Sequence, residues 1–353
     1  MNTLFTPLRI GPHSLPNRLV MAPMTRSRAD IDGVPGELVA LYYTQRASAG
    51  LIISEGVYPS ATGKGYLRTP GIIDDTQTAA WKRVADAVHA KGGRIFMQIM
   101  HCGRISHPAL LPDGELPVAP SPIKPPGQAW TDLGQQDFIT PRALGLDEIP
   151  AVIDSYRTAT RRALQAGFDG VELHAASGYL PEQFLSSGSN CRTDQYGGPV
   201  ENRARFILET LAAMIAEAGS GRVGIKISPE MGYNGITDAK PQETFTWLVE
   251  HLRGLGLAYL HVALFGADTD YHALLRPRFD GVYLIGGGLD QAKAETALAE
   301  GRADAVVFGS AFIANPDLPE RFRRGAPLNV PDKDTFFSPG AQGYTDYLGI
   351  GPE

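Results

Sequence analysis

Eight short apolar segments alternate with longer segments of helical period along this chain of 353 residues. Such alternation is typical of βα units, in which consecutive strands are parallel and a helix covers each connection. The predicted strands cover residues 19–22, 51–55, 95–101, 170–174, 223–228, 259–263, 282–286 and 305–309. The predicted helices cover residues 35–49, 76–91, 147–166, 200–218, 241–255, 289–300 and 311–323. Because these units follow one another without a linker, we expect an α/β fold in which residues 1–353 form a single (β/α)8 TIM barrel.

Two segments lie outside this alternation. Residues 5–17 alternate and turn like a β-hairpin, so we expect them to form a lid over the N-terminal end of the barrel. Residues 104–142 are rich in proline and glycine and follow the third predicted strand. Loops of this length in compact domains are usually functional, so we expect this loop to cover part of the active-site mouth.

The charge and composition of the chain exclude several classes of function. A formal net charge of −6 and a pI near 5.8 predict no basic surface for nucleic acid or anionic lipid. No apolar run has the length of a membrane span, and the first residues lack the regions of a signal peptide, so a cytoplasmic location is expected. Cys102 and Cys191 form no Cys-x-x-Cys pair, which predicts reduced thiols and no metal site. The expected partner is a small molecule, and the protein is expected to be a monomer or a small homo-oligomer.

The end of the fourth predicted strand carries the strongest chemical signal. His174 closes this strand and Tyr179 follows five residues later. Parallel barrels place their chemistry where a strand opens into its C-terminal loop, so both side chains are expected in the active site. An imidazole can hold a carbonyl oxygen, and a phenol can give a proton. His101 and His107 are interpreted as structural residues or as part of the wall.

Glycine-rich loops follow the last two predicted strands. Gly286-Gly-Gly288 follows the seventh strand, and Phe308-Gly-Ser310 follows the eighth. Barrels commonly bind phosphate at these two loops through backbone N–H groups and a helix N-terminus. The sequence therefore predicts a phosphate-bearing cofactor held by the backbone of Gly287, Gly288, Gly309 and Ser310.

Several motifs, taken in chain order, resemble one enzyme family. They are Asn17-Arg18, Ala22-Pro-Met-Thr-Arg26, Gln98-x-x-His-x-Gly-Arg104, His174-Ala-Ala-x-Gly-Tyr179, Asn190-x-Arg-x-Asp-x-Tyr-Gly-Gly198, Glu201-Asn-Arg203, Asn315-Pro-Asp-Leu318 and Gly343-Tyr-Thr-Asp-Tyr347. Together they resemble the old yellow enzyme family of FMN-dependent ene-reductases. The threonine at position 25 makes the chain similar to the bacterial branch that includes N-ethylmaleimide and pentaerythritol tetranitrate reductases.

The resemblance implies FMN as the cofactor and NADPH or NADH as the reductant. It implies that Gln98 meets the pyrimidine edge of the flavin, that Thr25 donates to flavin O4, and that Lys226 lies near N1 and O2. The remaining implied cofactor contacts are Ala22, Pro23, Met24 and Gly56. Activated alkenes, meaning α,β-unsaturated carbonyl or nitro compounds, would accept hydride from flavin N5 at Cβ. Tyr179 would protonate Cα while His174 holds the substrate oxygen.

Three residues depart from the pattern of that family. Ser177 stands where an asparagine or histidine completes a two-donor clamp on the substrate oxygen, and its hydroxyl has a shorter reach. Lys226 replaces an arginine, which keeps the charge and loses the planar fork. Ser310 replaces an arginine that grips the FMN phosphate, although it remains a fair N-cap for the next helix.

Structural interpretations and a second functional hypothesis stay open at this point. Gln98 could simply end a strand, Thr25 could be a turn residue, and Lys226 could pair with a carboxylate inside the barrel. His174 could be a structural histidine, and Tyr179 could be a packed aromatic. The alternative function is a flavin-poor barrel that acts as a non-redox isomerase or a ligand-binding protein. The colour of the purified protein separates the two hypotheses, because bound oxidised flavin is yellow.

Overall fold

The computed structural model describes residues 3–351 and contains a closed barrel of eight parallel strands. The strands are β1 (Leu19–Met21), β2 (Leu51–Ile53), β3 (Ile95–Ile99), β4 (Gly170–His174), β5 (Val223–Ile227), β6 (Tyr259–Ala263), β7 (Tyr283–Gly286) and β8 (Ala305–Phe308). Each strand pairs with the next in the chain, and β8 pairs with β1. The predicted barrel is therefore confirmed. The single domain predicted over residues 1–353 includes residues 1–2 and 352–353, which lie outside the described residues.

Helices follow the strands around the outside of the barrel. They are α1 (Glu37–Gln45), α2 (Asp75–His89), α3 (Ile149–Gln165), α4 (Arg205–Ala218), α5 (Pro241–Leu252), α6 (Tyr271–Leu275), α7 (Gln291–Ala299) and α8 (Leu318–Arg324). Further short helices cover Leu180–Leu185, Val200–Arg203 and Ser310–Ala314. The sequence predicted no helix after the sixth strand. The structure has the short α6 there, and the side chain of Asp270 caps its N-terminus.

The helix predicted over residues 311–323 is divided in the structure. It becomes Ser310–Ala314 and α8, with Asn315 at φ −128° and ψ 88° between them. Pro316 explains the interruption, because the residue before a proline is excluded from helical geometry by a clash with the proline ring. The helix predicted over residues 200–218 is divided at Ala204, although this residue keeps right-handed helical dihedrals of φ −77° and ψ −14°.

The two faces of each strand have different surroundings. Outward side chains pack with the helices in the main apolar core, and inward side chains form a separate apolar cluster that fills the lower barrel. The inward cluster contains Val20, Leu51, Ile53, Phe96, Tyr259, Leu284, Ala305 and Val307. Glycines make room for its largest rings, since a Cβ on Gly170 would lie 2.5 Å from Phe96 and a Cβ on Gly224 would lie 2.4 Å from Tyr259.

A hairpin closes the N-terminal end of the barrel. Its strands, Leu8–Ile10 and His13–Leu15, are antiparallel, and Ile10 and Leu15 belong to the inward apolar cluster. His13 Nε2 lies 2.9 Å from the carbonyl oxygen of Asp169, the residue that precedes β4. The chemistry is therefore confined to the opposite end, where the strands terminate.

The long loop after β3 packs beside the end of β4. It contains an antiparallel hairpin of strands Gln128–Thr131 and Gly134–Asp137. Ala129 and Phe138 pack in one apolar cluster with Tyr179. The predicted position of this loop at the mouth of the barrel agrees with that contact. A second pairing in this region joins Val118–Ala119 to Arg142–Ala143 in parallel.

Two further sequence expectations concern membrane spans and cysteines. Among residues 3–351, no helix has the length and apolar character needed to cross a membrane. Cys102 is buried and Cys191 is exposed, and both are free thiols.

Candidate active site

Strand register brings polar side chains together above the apolar floor of the barrel. Gln98 on β3 pairs with Glu172 on β4, and His174 on β4 pairs with Lys226 on β5. Lys226 in turn pairs with His261 on β6. Partners in a parallel register share a face of the sheet, and residues two apart on one strand share it too. These five side chains therefore form one polar layer at the C-terminal end of the barrel.

Glu172 is the centre of this polar layer. Its side chain is fully buried. Its Oε1 accepts a hydrogen bond from Gln98 Nε2 at 2.7 Å, and its Oε2 lies 3.1 Å from His261 Nδ1. A carboxylate accepts hydrogen bonds only, so it fixes the amide nitrogen of Gln98 toward itself. The amide oxygen of Gln98 and the second N–H of its amide nitrogen therefore remain for a ligand.

Lys226 supplies a positive charge to the same polar layer. Within residues 3–351 its ammonium makes no hydrogen bond and no ion pair shorter than 4 Å. Burial lowers the pKa of Lys226, and the negative charge of Glu172 acts in the opposite direction. The alternative prediction was that a carboxylate inside the barrel pairs with this lysine. Glu172 acts on Lys226 through its charge but makes no direct contact with the ammonium. The amino group of Lys226 therefore remains available to an anionic ligand atom.

His174 and Tyr179 lie next to each other, as their spacing predicted. Their ring centroids are 4.9 Å apart in an edge-to-face arrangement. Burial, with Lys226 and His261 nearby, lowers the pKa of His174 well below its usual value, so the ring is neutral. Burial above all raises the pKa of Tyr179 well above its ordinary value. At neutral pH the pair therefore consists of an uncharged imidazole and a protonated phenol.

Ser177 occupies the turn between these two residues. Its φ of 58° is left-handed, its N–H donates to Ser228 Oγ at 2.8 Å, and its carbonyl oxygen accepts from Asn234 Nδ2 at 2.8 Å. Its own hydroxyl lies 3.5 Å from Met231 Sδ. The backbone of Ser177 is thus held to the loop after β5, and its place in a substrate clamp stays a prediction.

The loop after β1 lies beside the loop after β8. Residues 22–25 are irregular and partly exposed, in contrast to the fully buried β1. A Cβ on Gly309 would lie 3.6 Å from Met24 Sδ and 3.9 Å from Ala22 Cβ. Ala22, Pro23, Met24 and Thr25 therefore line one side of the mouth. Gly56 is buried, and a Cβ there would approach Met100 to 2.5 Å.

The loops after β7 and β8 form the predicted phosphate region. Gly287 has φ 134°, and a Cβ there would lie 2.0 Å from the carbonyl oxygen of Leu264, so only glycine fits. Gly288 and Ser310 are exposed. Gly309 is the N-cap of the helix Ser310–Ala314, which corrects the N-cap role predicted for Ser310. Ser310 instead supplies the first backbone N–H of that helix.

Two arginines could have replaced the missing guanidinium near Ser310. Arg276 donates to Asp304 Oδ2 at 3.1 Å and to the carbonyl oxygen of Phe279. Arg278 donates to the carbonyl oxygen of Leu274 and lies 3.3 Å from Glu250. Both are therefore engaged away from the phosphate region.

The residues of this site fit an FMN molecule. His174 Nδ1 is buried without a hydrogen-bond partner among the described residues, which is costly unless a ligand satisfies it. The free ammonium of Lys226 and the free oxygen of Gln98 match the acceptor and donor positions of a flavin pyrimidine edge. The glycines of the loops after β7 and β8 could present backbone N–H groups to a phosphate.

Comparison with known proteins agrees with this geometry. The profile of the NADH:flavin oxidoreductase / NADH oxidase family matches residues 3–329. The chain belongs to this family. It is therefore an oxidoreductase with FMN as its cofactor, and the resemblance to the old yellow enzymes is confirmed.

Individual relatives match over nearly their whole length. Rice (Oryza sativa subsp. japonica) 12-oxophytodienoate reductase 1 is 42% identical, with 98% of this chain and 92% of the relative covered. Morphinone reductase in complex with tetrahydroNAD superposes with a TM-score of 0.96 at 50% identity, covering 99% of this chain and 98% of that one. The old yellow enzyme homologue from Zymomonas mobilis superposes with a TM-score of 0.95 at 41% identity, covering 98% of this chain and 99% of that one.

Sequence reasoning missed three residues of this site. Glu172 and His261 lie inside the barrel, and Tyr66 reaches Tyr179 from the loop after β2. Glu172 could have been found, because it precedes His174 by two residues on one strand and so shares its inward face. Tyr66 is 113 residues from Tyr179 in the chain, and no local pattern links them.

Proposed function

We propose that this protein reduces activated alkenes, namely α,β-unsaturated carbonyl or nitro compounds, with NADPH or NADH as the electron source. The observation that carries the proposal is the 4.9 Å contact between His174 and Tyr179 at the rim of the polar layer. His174 can hold the oxygen of the electron-withdrawing group, while Tyr179 can protonate the α-carbon. The relatives named 12-oxophytodienoate reductase and morphinone reductase support an oxo-substituted substrate.

FMN, when bound, supplies hydride from N5 to the β-carbon of the alkene. The neutral ring of His174 has one N–H, which donates to the substrate oxygen where negative charge develops. Tyr179 transfers its phenolic proton to the α-carbon, so one O–H bond breaks and one C–H bond forms. The net change adds one hydride and one proton across the C=C bond, and water returns the proton to the protein.

Lys226 and Gln98 orient the cofactor in this proposal. Lys226 places a positive charge at the pyrimidine end of the ring system, and Gln98 offers an amide oxygen whose direction Glu172 fixes. Thr25 lies on the partly exposed loop after β1, where its hydroxyl can donate to an oxygen of the ring. None of these three groups takes part in bond making or bond breaking in the proposed reaction.

A matched pair of substrates tests the proposal. The yellow purified protein is mixed with NADPH or NADH and either 2-cyclohexenone or 3-cyclohexenol, which lacks the conjugated oxygen. We expect consumption of the enone with formation of the saturated ketone, and no reaction of the alcohol. A colourless protein that binds no FMN, or a yellow one that reduces neither enones nor nitroalkenes, would contradict the proposal.

The position of Ser177 leads to a specific mutational prediction. Ser177→Asn is expected to tighten binding of a simple phenol, because the longer amide adds a direct donor beside His174. Asparagine also tolerates the left-handed backbone at this position, so the turn is expected to be retained. One added neutral hydrogen bond is worth about 0.5–1.5 kcal/mol, or roughly twofold to tenfold in Kd. Titration of the FMN-loaded protein, followed by long-wavelength absorbance, measures the change.

Ser177→Ala is the matched control for this substitution. It removes the hydroxyl that lies beside Met231, and we expect phenol affinity close to that of the wild type. If Ser177→Asn binds phenol no more tightly than Ser177→Ala does, position 177 does not face the substrate.

A further inference from the structure

Tyr66 is the residue that contacts the hydroxyl of Tyr179. The two phenolic oxygens are 2.8 Å apart, and the rings meet edge to face with centroids 6.4 Å apart. An O–H···O distance of this length is that of a good hydrogen bond. Among the described residues, Tyr66 is the hydrogen-bond partner of the Tyr179 hydroxyl.

Tyr179 is largely surrounded by apolar side chains. Tyr179 is 7% exposed and belongs to a small apolar cluster. The other buried members are Met100, Cys102, Ile105, Leu110, Ala129 and Phe138. Tyr66 and Leu67 pack against this cluster and are partly exposed. Tyr66 is thus a hydrogen-bonded neighbour of the Tyr179 hydroxyl, and part of its own side chain is accessible to solvent.

A proton donor must recover its proton once in every catalytic cycle. Buried phenol groups exchange protons with solvent only through a hydrogen-bonded neighbour or a local opening of the fold. Burial raises the pKa of both Tyr66 and Tyr179, so neither group remains a phenolate at neutral pH. A phenolate formed on Tyr179 is therefore a strong proton acceptor.

We propose that Tyr66 is the relay through which Tyr179 regains its proton from solvent. After Tyr179 has protonated carbon, its phenolate takes the hydroxyl proton of Tyr66, and Tyr66 then takes a proton from water. One O–H bond breaks and one forms at each step, and no oxidant or reductant is needed. The catalytic part of this inference rests on the proposed alkene reduction, and the proton path itself does not.

The hydroxyl exchange rate of Tyr179 tests the path without catalysis. Protein carrying ¹³Cζ-tyrosine shows separate signals for O–H and O–D forms in mixed H₂O and D₂O, and their exchange gives the rate. Tyr66→Phe is expected to slow exchange at Tyr179 at least about tenfold. Tyr233→Phe is the matched control, since Tyr233 is 54% exposed on the loop after β5, and it is expected to leave the rate unchanged.

The same two variants separate a relay from a role in orientation. Tyr179 in resting Tyr66→Phe already holds its proton, so a single turnover with enone is expected near the wild-type rate. Repeated turnover is expected to slow and to recover as the concentration of a small buffer acid rises. Equal slowing of the single turnover, unchanged exchange at Tyr179, or no response to buffer would overturn the relay. Absence of enone reduction by the wild type would instead reject the proposed function, while the exchange measurement would still decide the proton path.

Discussion

Tyr179→Phe is expected to slow reoxidation of the reduced enzyme by an enone by about 10²–10⁴-fold. The substitution keeps the ring that packs against His174 and Met100 and removes only the hydroxyl. Reduction of bound FMN by NADPH or NADH requires no proton from this residue, so that half-reaction is expected to keep its rate. Stopped-flow absorbance of the two half-reactions, measured separately, gives both numbers.

A quinone acceptor provides the internal control for this experiment. Reoxidation by a quinone requires no protonation of carbon, so Tyr179→Phe is expected to react with it at the wild-type rate. The lost hydrogen bond to Tyr66 could also lower stability, which a thermal melt of the variant measures. A loss of equal size in both half-reactions, or undiminished reoxidation by enone, would reject Tyr179 as the acid.

The proposed roles of Tyr179 and Tyr66 divide one task between two tyrosines. A buried phenol with a raised pKa keeps its proton until a basic carbon centre is next to it. In the proposed relay, the partly exposed Tyr66 returns the proton to the more deeply buried Tyr179. Tyr179→Phe is therefore expected to affect the first turnover, and Tyr66→Phe only the later ones.

The barrel was predictable because its strands are buried on both faces. Such strands appear as continuous apolar runs, and β4 and β6 were predicted with the bounds that the structure has. The division of the last predicted helix was missed although Pro316 signals it, because the helical period continues on both sides of the proline. The short α6 was missed because five residues are too few for a recognisable period.

The site was only partly predictable, for a different reason. His174 was predicted from its place at the end of a strand, whereas the cofactor roles of Gln98 and Lys226 were implied by the family resemblance, and the strand register places all three side chains on the inward face. Glu172 lies within β4 and was passed over, although it accepts a hydrogen bond from the Gln98 amide nitrogen and so orients that side chain. The pairing of Tyr66 with Tyr179 depends on how the loop after β2 folds over the barrel, which no local pattern encodes.

The phosphate region leads to the second large expected effect. Ser310→Arg is expected to raise FMN affinity by about 1.5–3 kcal/mol, or roughly tenfold to a hundredfold in Kd. Position 310 is exposed beside Gly309 and the loop of Gly287 and Gly288, so a longer side chain has room. Fluorescence titration of the flavin-free protein with FMN measures the change.

Riboflavin and Ser310→Ala isolate the contact in that measurement. Riboflavin has no phosphate, so its affinity is expected to be the same in the wild type and in Ser310→Arg. Ser310→Ala keeps the backbone N–H at the start of the helix Ser310–Ala314 and is expected to bind FMN nearly as the wild type does. Arg276 and Arg278 are held by Asp304 and Glu250, so they offer no guanidinium that would mask the gain. If Ser310→Arg leaves the ratio of FMN to riboflavin affinity unchanged, the phosphate lies elsewhere and these loops bind another part of the ligand.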